Sequence, residues 1–143
     1  MSASIVQLRR FRSKEEGEFL EEMLLIEEAG IEGNMFQGGD KQICLFSAEA
    51  RRWMEAQTVK GLCFKRFTEN ILTEGLDLKT INVGSVLSIG EAELRVTYSG
   101  KRCFDECVLY SNNIYCKLSR CATFLTVEKG GKIAVGDSIY VIP

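Results

Sequence analysis

The apolar residues of "SIVQLRRF" (4–11), namely Ile5, Val6 and Leu8, predict a first β-strand. The spacing then changes. Ser13-Lys14-Glu15-Glu16 has the form of a capping box, in which the Ser hydroxyl and the Glu carboxylate each satisfy a free backbone N–H. Phe19, Leu20, Met23, Leu24 and Ile26 follow at helical spacing, with Glu residues on the other face and Gly30 as a stop, so this stretch predicts a helix. "GIEGNMFQGGDKQ" (30–42) is glycine-rich and predicts a loop. "ICLFS" (43–47) predicts a buried strand, and Ser47 is placed to cap a short helix over "AEARRWMEAQ" (48–57). "GLCFKRF" (61–67) alternates loosely and predicts another strand. "NVGSVLSIGEAELRVTYSG" (82–100) predicts two strands about a tight turn at Gly90-Glu91. "TFLTVEKGGKIAVGDSIYVI" (123–142) predicts further short strands, turning at Gly130-Gly131 and Gly136-Asp137.

This succession of short strands and turn signals predicts a mainly β fold, a small barrel with one or two helices. Val83–Leu87 and Val135–Ile139 each set a turn glycine before an apolar strand, an echo that shared barrel geometry explains without a true repeat. The only proline, Pro143, interrupts none of these strands. A length of 143 residues fits one domain with its own hydrophobic core.

Composition changes this picture in two ways. The net charge of −2 names no partner, but residues 13–32 hold eight Glu and one Lys, a net of −7, which leaves +5 for the rest. A basic body could accept an anionic ligand, whereas the acidic stretch is foremost a solvated face. The N-terminal residues contain no long apolar run and no stretch reaches membrane-spanning length, so a cytosolic, membrane-free chain is expected. Its six cysteines should then be mostly reduced. Scattered basic and aromatic residues do not amount to a nucleic-acid interface.

Candidate chemistry centres on "GKRCFDEC" (100–107). Cys103, Cys107, Cys116 and Cys121 form C-x3-C-x8-C-x4-C, a partial match to a structural zinc site. Residues four apart in a strand lie about 13 Å apart, too far to share an ion. In a helical turn they lie about 6 Å apart, so zinc or a disulfide requires residues 103–107 to coil. Lys101 and Arg102 precede Cys103 and favour its thiolate, while Asp105 and Glu106 fall nearer Cys107. Buried, structural cysteines remain the plain alternative. With no histidine in the chain, a Cys-His or Ser-His-Asp hydrolase is excluded. Neither a Walker A pattern nor GxGxxG is present. Lys60/Lys65/Arg66 and Lys101/Arg102 are modest basic clusters, able to grip phosphate or simply to be solvated.

"RFTENILTEGLDL" (66–78), "INVGSVLSIGEAELRVT" (81–97), "GKRCFDEC" (100–107) and "VEKGGKIAVGDSIYV" (127–141), together with "GIEGNMFQGG" (30–39), resemble in their order the MOSC domains, named after the C-terminal part of molybdenum-cofactor sulfurase. The resemblance covers about residues 29–142 and is closest to stand-alone bacterial members. It implies a barrel akin to the β-barrel domain of pyruvate kinase and binding of the molybdenum cofactor, a pterin dithiolene with a terminal phosphate. By the same resemblance Cys103 is the working cysteine, carrying sulfur as a persulfide or ligating molybdenum, and Arg66, Asn70 and Lys101 contribute to the cofactor pocket. A molybdoenzyme or a cofactor-biosynthesis protein is the implied partner. Asn34 and Phe36 stand where related sequences often have Asp and His, and Phe104 where His often follows the cysteine. Two other functions are compatible with these residues: a non-catalytic binding module with structural zinc or structural cysteines, and a molybdenum-dependent reductase of N-hydroxylated compounds.

Overall fold

A computed structural model of the chain describes residues 3–13, 17–35, 37–56, 69–76, 81–99 and 122–142. Strands β1 (Ala3–Phe11), β2 (Gly17–Leu20), β3 (Glu22–Ile26), β4 (Gly30–Ile31) and β5 (Ile43–Ser47) precede one helix, α1 (Ala48–Ala56). Then come β6 (Ile71–Glu74), β7 (Val86–Ile89), β8 (Ala92–Ser99), β9 (Thr123–Lys129), β10 (Gly131–Ala134) and β11 (Ser138–Ile142). The predicted strand at 61–67 and the capping residues 14–16 lie outside the described residues.

Seven strands close into a barrel in the order β11-β7-β8-β9-β5-β6-β1, with β1 returning to β11. The fold is thus mostly β with one short helix, as the strand and turn pattern predicts. All neighbours are antiparallel except β5 and β6. A parallel pair needs a crossover connection, and α1 lies within that one, resting against both strands. Ser47 begins the helix as predicted: its Oγ accepts the Ala50 N–H at 2.9 Å. The edge of β1 is shared, since Ala3 and Ser4 pair with β11 while Leu8–Phe11 pair with β2. A second, three-stranded sheet runs β10-β3-β4.

The predicted helix over 17–29 is two strands, β2 and β3. Burial along Glu22–Ile26 alternates strictly: Met23 and Leu25 are inside, while Leu24 and Ile26 are 47% and 40% exposed. That is a period of two, and six apolar residues among the eight positions 19–26 fit both periods. The deciding partner is β10, more than a hundred residues away, whose Lys132 and Ile133 oppose Leu24 and Met23. Gly17 also belongs to a strand for a packing reason: a Cβ there would lie 2.7 Å from the Phe11 ring.

Inside the barrel Ile5, Leu8, Ile43, Leu45, Ile71, Leu87, Ile89, Leu94, Val96 and Leu125 form one aliphatic core, joined by Met23, Leu25, Ile31 and Ile133 from the small sheet. Burying each large side chain contributes about 1.5–3 kcal/mol.

Candidate functional site on the outer wall

Residues directly opposite one another in a sheet share a face. In the barrel wall Tyr98 opposes Phe124, and Phe124 opposes Cys44. The Asn70 N–H then donates to the Cys44 carbonyl, and the Arg9 N–H to the Asn70 carbonyl, both at 2.8 Å. Ile43, Leu45, Ile71, Leu8 and Leu125, which flank this row, belong to the core. Tyr98, Phe124, Cys44, Asn70 and Arg9 therefore form one transverse row on the outer face.

Asn70, expected in the cofactor pocket, is only 3% exposed and works as a clamp. Its Oδ1 accepts the Cys44 N–H at 3.0 Å, and its Nδ2 donates to the Arg9 carbonyl at 3.2 Å and to Asn34 Oδ1 at 3.4 Å. The same Asn34 Oδ1 accepts the Phe11 N–H at 2.9 Å. The glycine-rich segment and the segment that ends in Glu69-Asn70 are thus tied together through two buried amides. Arg66, Lys101 and Cys103, with Phe36 and the other late cysteines, lie outside the described residues.

Beside Asn70 sits a cluster that local sequence did not reveal. The Glu69 side chain is 1% exposed and faces two guanidinium groups, Arg9 from β1 and Arg51 from α1. Oε1 takes a close contact from Arg51 Nη2, and Oε2 lies 2.8 Å from Arg9 Nη2. The Arg9 contact is Coulombic without hydrogen-bond alignment, and buried Arg9 Nε is likewise left without an acceptor. Burial lowers the Arg9 pKa below its ordinary value, with Cys44 acting in the opposite sense. Burial also lowers that of Arg51, helped by the charge of Arg9 and opposed by Glu55 and Cys44. Two guanidiniums thus share the one buried carboxylate. Arg9 additionally stacks over Phe11, 4.7 Å from its centroid, and over Phe19 at 5.7 Å.

At the other end of the row the glycine-rich loop stands beside β8. Met35, Gln37, Gly38, Asp40, Lys41 and Tyr98 line an open cleft of about 480 Å³. Lys41 Nζ is 4.9 Å from the centroids of both Tyr98 and Phe124. The loop is locked in place by its own amides. Gln37 Nε2 donates to the Ile31 and Asn34 carbonyls. Gln42 Nε2 donates to the Glu28 and Gly39 carbonyls, while its Oε1 accepts the Val127 N–H. Thr97 donates its hydroxyl to the Asp40 carbonyl. Among the described residues no group of three or more Cys, Asp or Glu is arranged to hold a metal. Nor is any described helix long and apolar enough to cross a membrane.

These features define a small closed β-barrel with a clamped outer wall on which two guanidiniums share one buried carboxylate. A family model, the MOSC domain, matches residues 32–140, and the chain belongs to that family. Similar solved structures are the YUAD protein from Bacillus subtilis (TM-score 0.68, 18% identity, covering 97% of this chain and 94% of that one). YiiM from Escherichia coli gives a TM-score of 0.62 at 20% identity, covering 99% of this chain and 69% of that one. YiiM from Geobacillus stearothermophilus gives 0.67 at 17% identity, covering 99% and 75%. At these identities the likeness is one of fold. No curated protein matches the chain.

Proposed function

We propose that this MOSC domain binds the molybdenum cofactor and handles sulfur or molybdenum through Cys103, delivering to a partner molybdoenzyme or cofactor-biosynthesis protein. The observation that carries this reading is the Arg9–Glu69–Arg51 cluster beside Asn70. Two guanidiniums there share one buried carboxylate, and the buried Arg9 Nε–H has no acceptor. An anionic, phosphate-bearing group fits such a wall, because Arg holds phosphate through charge-assisted hydrogen bonds. When bound, the cofactor would supply a molybdenum centre capable of atom exchange. Arg9 and Arg51 would supply positive charge. Arg66 and Lys101 would add donors from the segments that adjoin Glu69 and Ser99 in sequence. Asn70 would act by fixing the backbone that leads back to Arg66, since its amide already holds the backbone of Cys44 and Arg9. Cys103 would supply a soft thiolate, suited to molybdenum or to carrying a transferable sulfur.

The test is purification after expression in a host that makes the cofactor, with molybdenum and form-A pterin measured per chain. Near-stoichiometric loading is expected, falling at least tenfold in Arg9→Gln/Arg51→Gln. Cys103→Ala should abolish sulfur handling. A wild-type protein with neither molybdenum nor pterin would overturn the reading.

A further inference from the structure

The acidic stretch that composition singles out folds into β2 and the small sheet. Residues 17–32 carry six Glu and no Lys or Arg. Glu18 is answered by Arg10 and Arg12, and Glu22 by Lys132, whose Nζ lies 3.5 Å from Oε2. Glu21, Glu27, Glu28 and Glu32 are exposed and have no cation within ion-pair distance among the described residues.

The same sheet leaves apolar residues bare. A half-solvated strand ordinarily turns apolar side chains inward and polar ones outward. In β3, Met23 and Leu25 enter the core, yet Leu24 and Ile26 stand on the opposite, exposed face. Ile26 has a glycine on each side. Gly30 opposes it on β4, and Gly130 lies so close that a Cβ there would be 2.7 Å from the Leu25 carbonyl oxygen. Neither neighbour has a side chain to cover it. Leu24 stands between Lys132, its partner on β10, and Glu32, whose N–H donates to the Leu24 carbonyl. Beside it an open groove of about 360 Å³ is lined by Leu20, Met23 and Leu24 and by Arg10, Glu22, Glu32 and Lys132. Arg10 and Lys132 already answer Glu18 and Glu22, so Glu32 is the charge left over there.

We propose that this face docks a basic, apolar segment of another protein, its aliphatic side chains against Leu24 and Ile26 and its Lys or Arg residues against the unanswered carboxylates. Charge selects that occupant. A second copy of this chain laid face to face would set the same carboxylates against one another, and an anionic lipid surface would meet them with like charge. A cationic partner gains both the apolar burial and the electrostatic steering. The proposal stands apart from cofactor binding, since none of these residues belongs to the Arg9–Glu69–Arg51 cluster or to the Asn70 clamp.

The test uses a labelled peptide about ten residues long in which Lys and Leu alternate, against peptides with Glu in place of Lys or Ser in place of Leu. Binding to the full chain is followed by fluorescence anisotropy. The Lys–Leu peptide should bind about tenfold tighter than either control, and less tightly as salt rises. Leu24→Thr/Ile26→Thr should weaken it about tenfold. Thr keeps the strand propensity of these exposed positions, so the urea midpoint should hold. Glu21→Gln/Glu32→Gln should lower the affinity and flatten its salt dependence. Tyr140→Ser removes an exposed ring elsewhere on the barrel and should change nothing. On the labelled chain, amide shifts should move along β3, β4 and β10. Binding that survives both double variants, or shifts that fall outside the small sheet, would overturn the proposal. So would a dimer of the chain alone that Leu24→Thr/Ile26→Thr dissolves, because a second copy then covers the face.

Discussion

The two ends of the outer row were built for different purposes. At the Arg9–Asn70 end the side chains are spent on one another: a buried carboxylate holds two guanidiniums, and two buried amides tie β1, β5 and the start of β6 to the glycine-rich loop. At the Tyr98 end the loop is held just as firmly, but by bonds to its backbone, and the side chains face outward. The closed end therefore carries folding free energy as well as the guanidiniums offered to an anion, whereas the open end carries little folding free energy.

The largest effect should come from Glu69→Gln. It leaves two half-buried cations facing each other, and breaking a buried ion pair in this way costs about 3–5 kcal/mol, read as a lower urea midpoint. Asn70→Ala comes next. The Cys44 N–H and the Arg9 carbonyl lose their partner in the interior, a penalty of about 2–4 kcal/mol by the same measurement. Arg51→Met should be milder, about 1–2 kcal/mol, because Glu69 retains Arg9 and the new side chain still packs. Tyr98→Ala should change stability by less than about 1 kcal/mol, since an exposed ring buries little. A Tyr98 variant as destabilised as Glu69→Gln would erase the contrast.

Much of this architecture was legible locally. Ser47 as a cap, the apolar run 43–46 ahead of it and the turn at Gly90-Glu91 each carry their signal within a few residues, and each appears where expected. The stretch 17–29 failed because its true partner is remote. Leu24 faces Lys132, and nothing near Leu24 announces that. Asn70 was found through the family resemblance, but its role as a clamp depends on Arg9 and Cys44, which are 61 and 26 residues away. Arg9 and Arg51, which local sequence does not single out, meet Glu69 only in the folded chain. One hint was available for Arg9: it stands with Arg10 between Leu8 and Phe11 in the last third of a strand, where a charge is either solvated or paired. Lys41 and Asp40 lay in plain view, but their nearness to Tyr98 appears only when β8 folds back past the loop.

The way β1 divides its edge has a consequence for synthesis. Residues 3–4 seal the barrel against residues 138–139, whereas β2 and β6 claim the rest of β1. As the chain emerges from a ribosome, β1 can zip to β2 at once and to β6 midway. The cylinder must wait open until the last strand arrives. Such a long-range closing step is slow by nature, because the loop-closure entropy is spent before the contacts form. Until then the edges of β1 and β7 that β11 will cover stay bare, and this is when the nascent protein is most exposed to strand pairing with its neighbours.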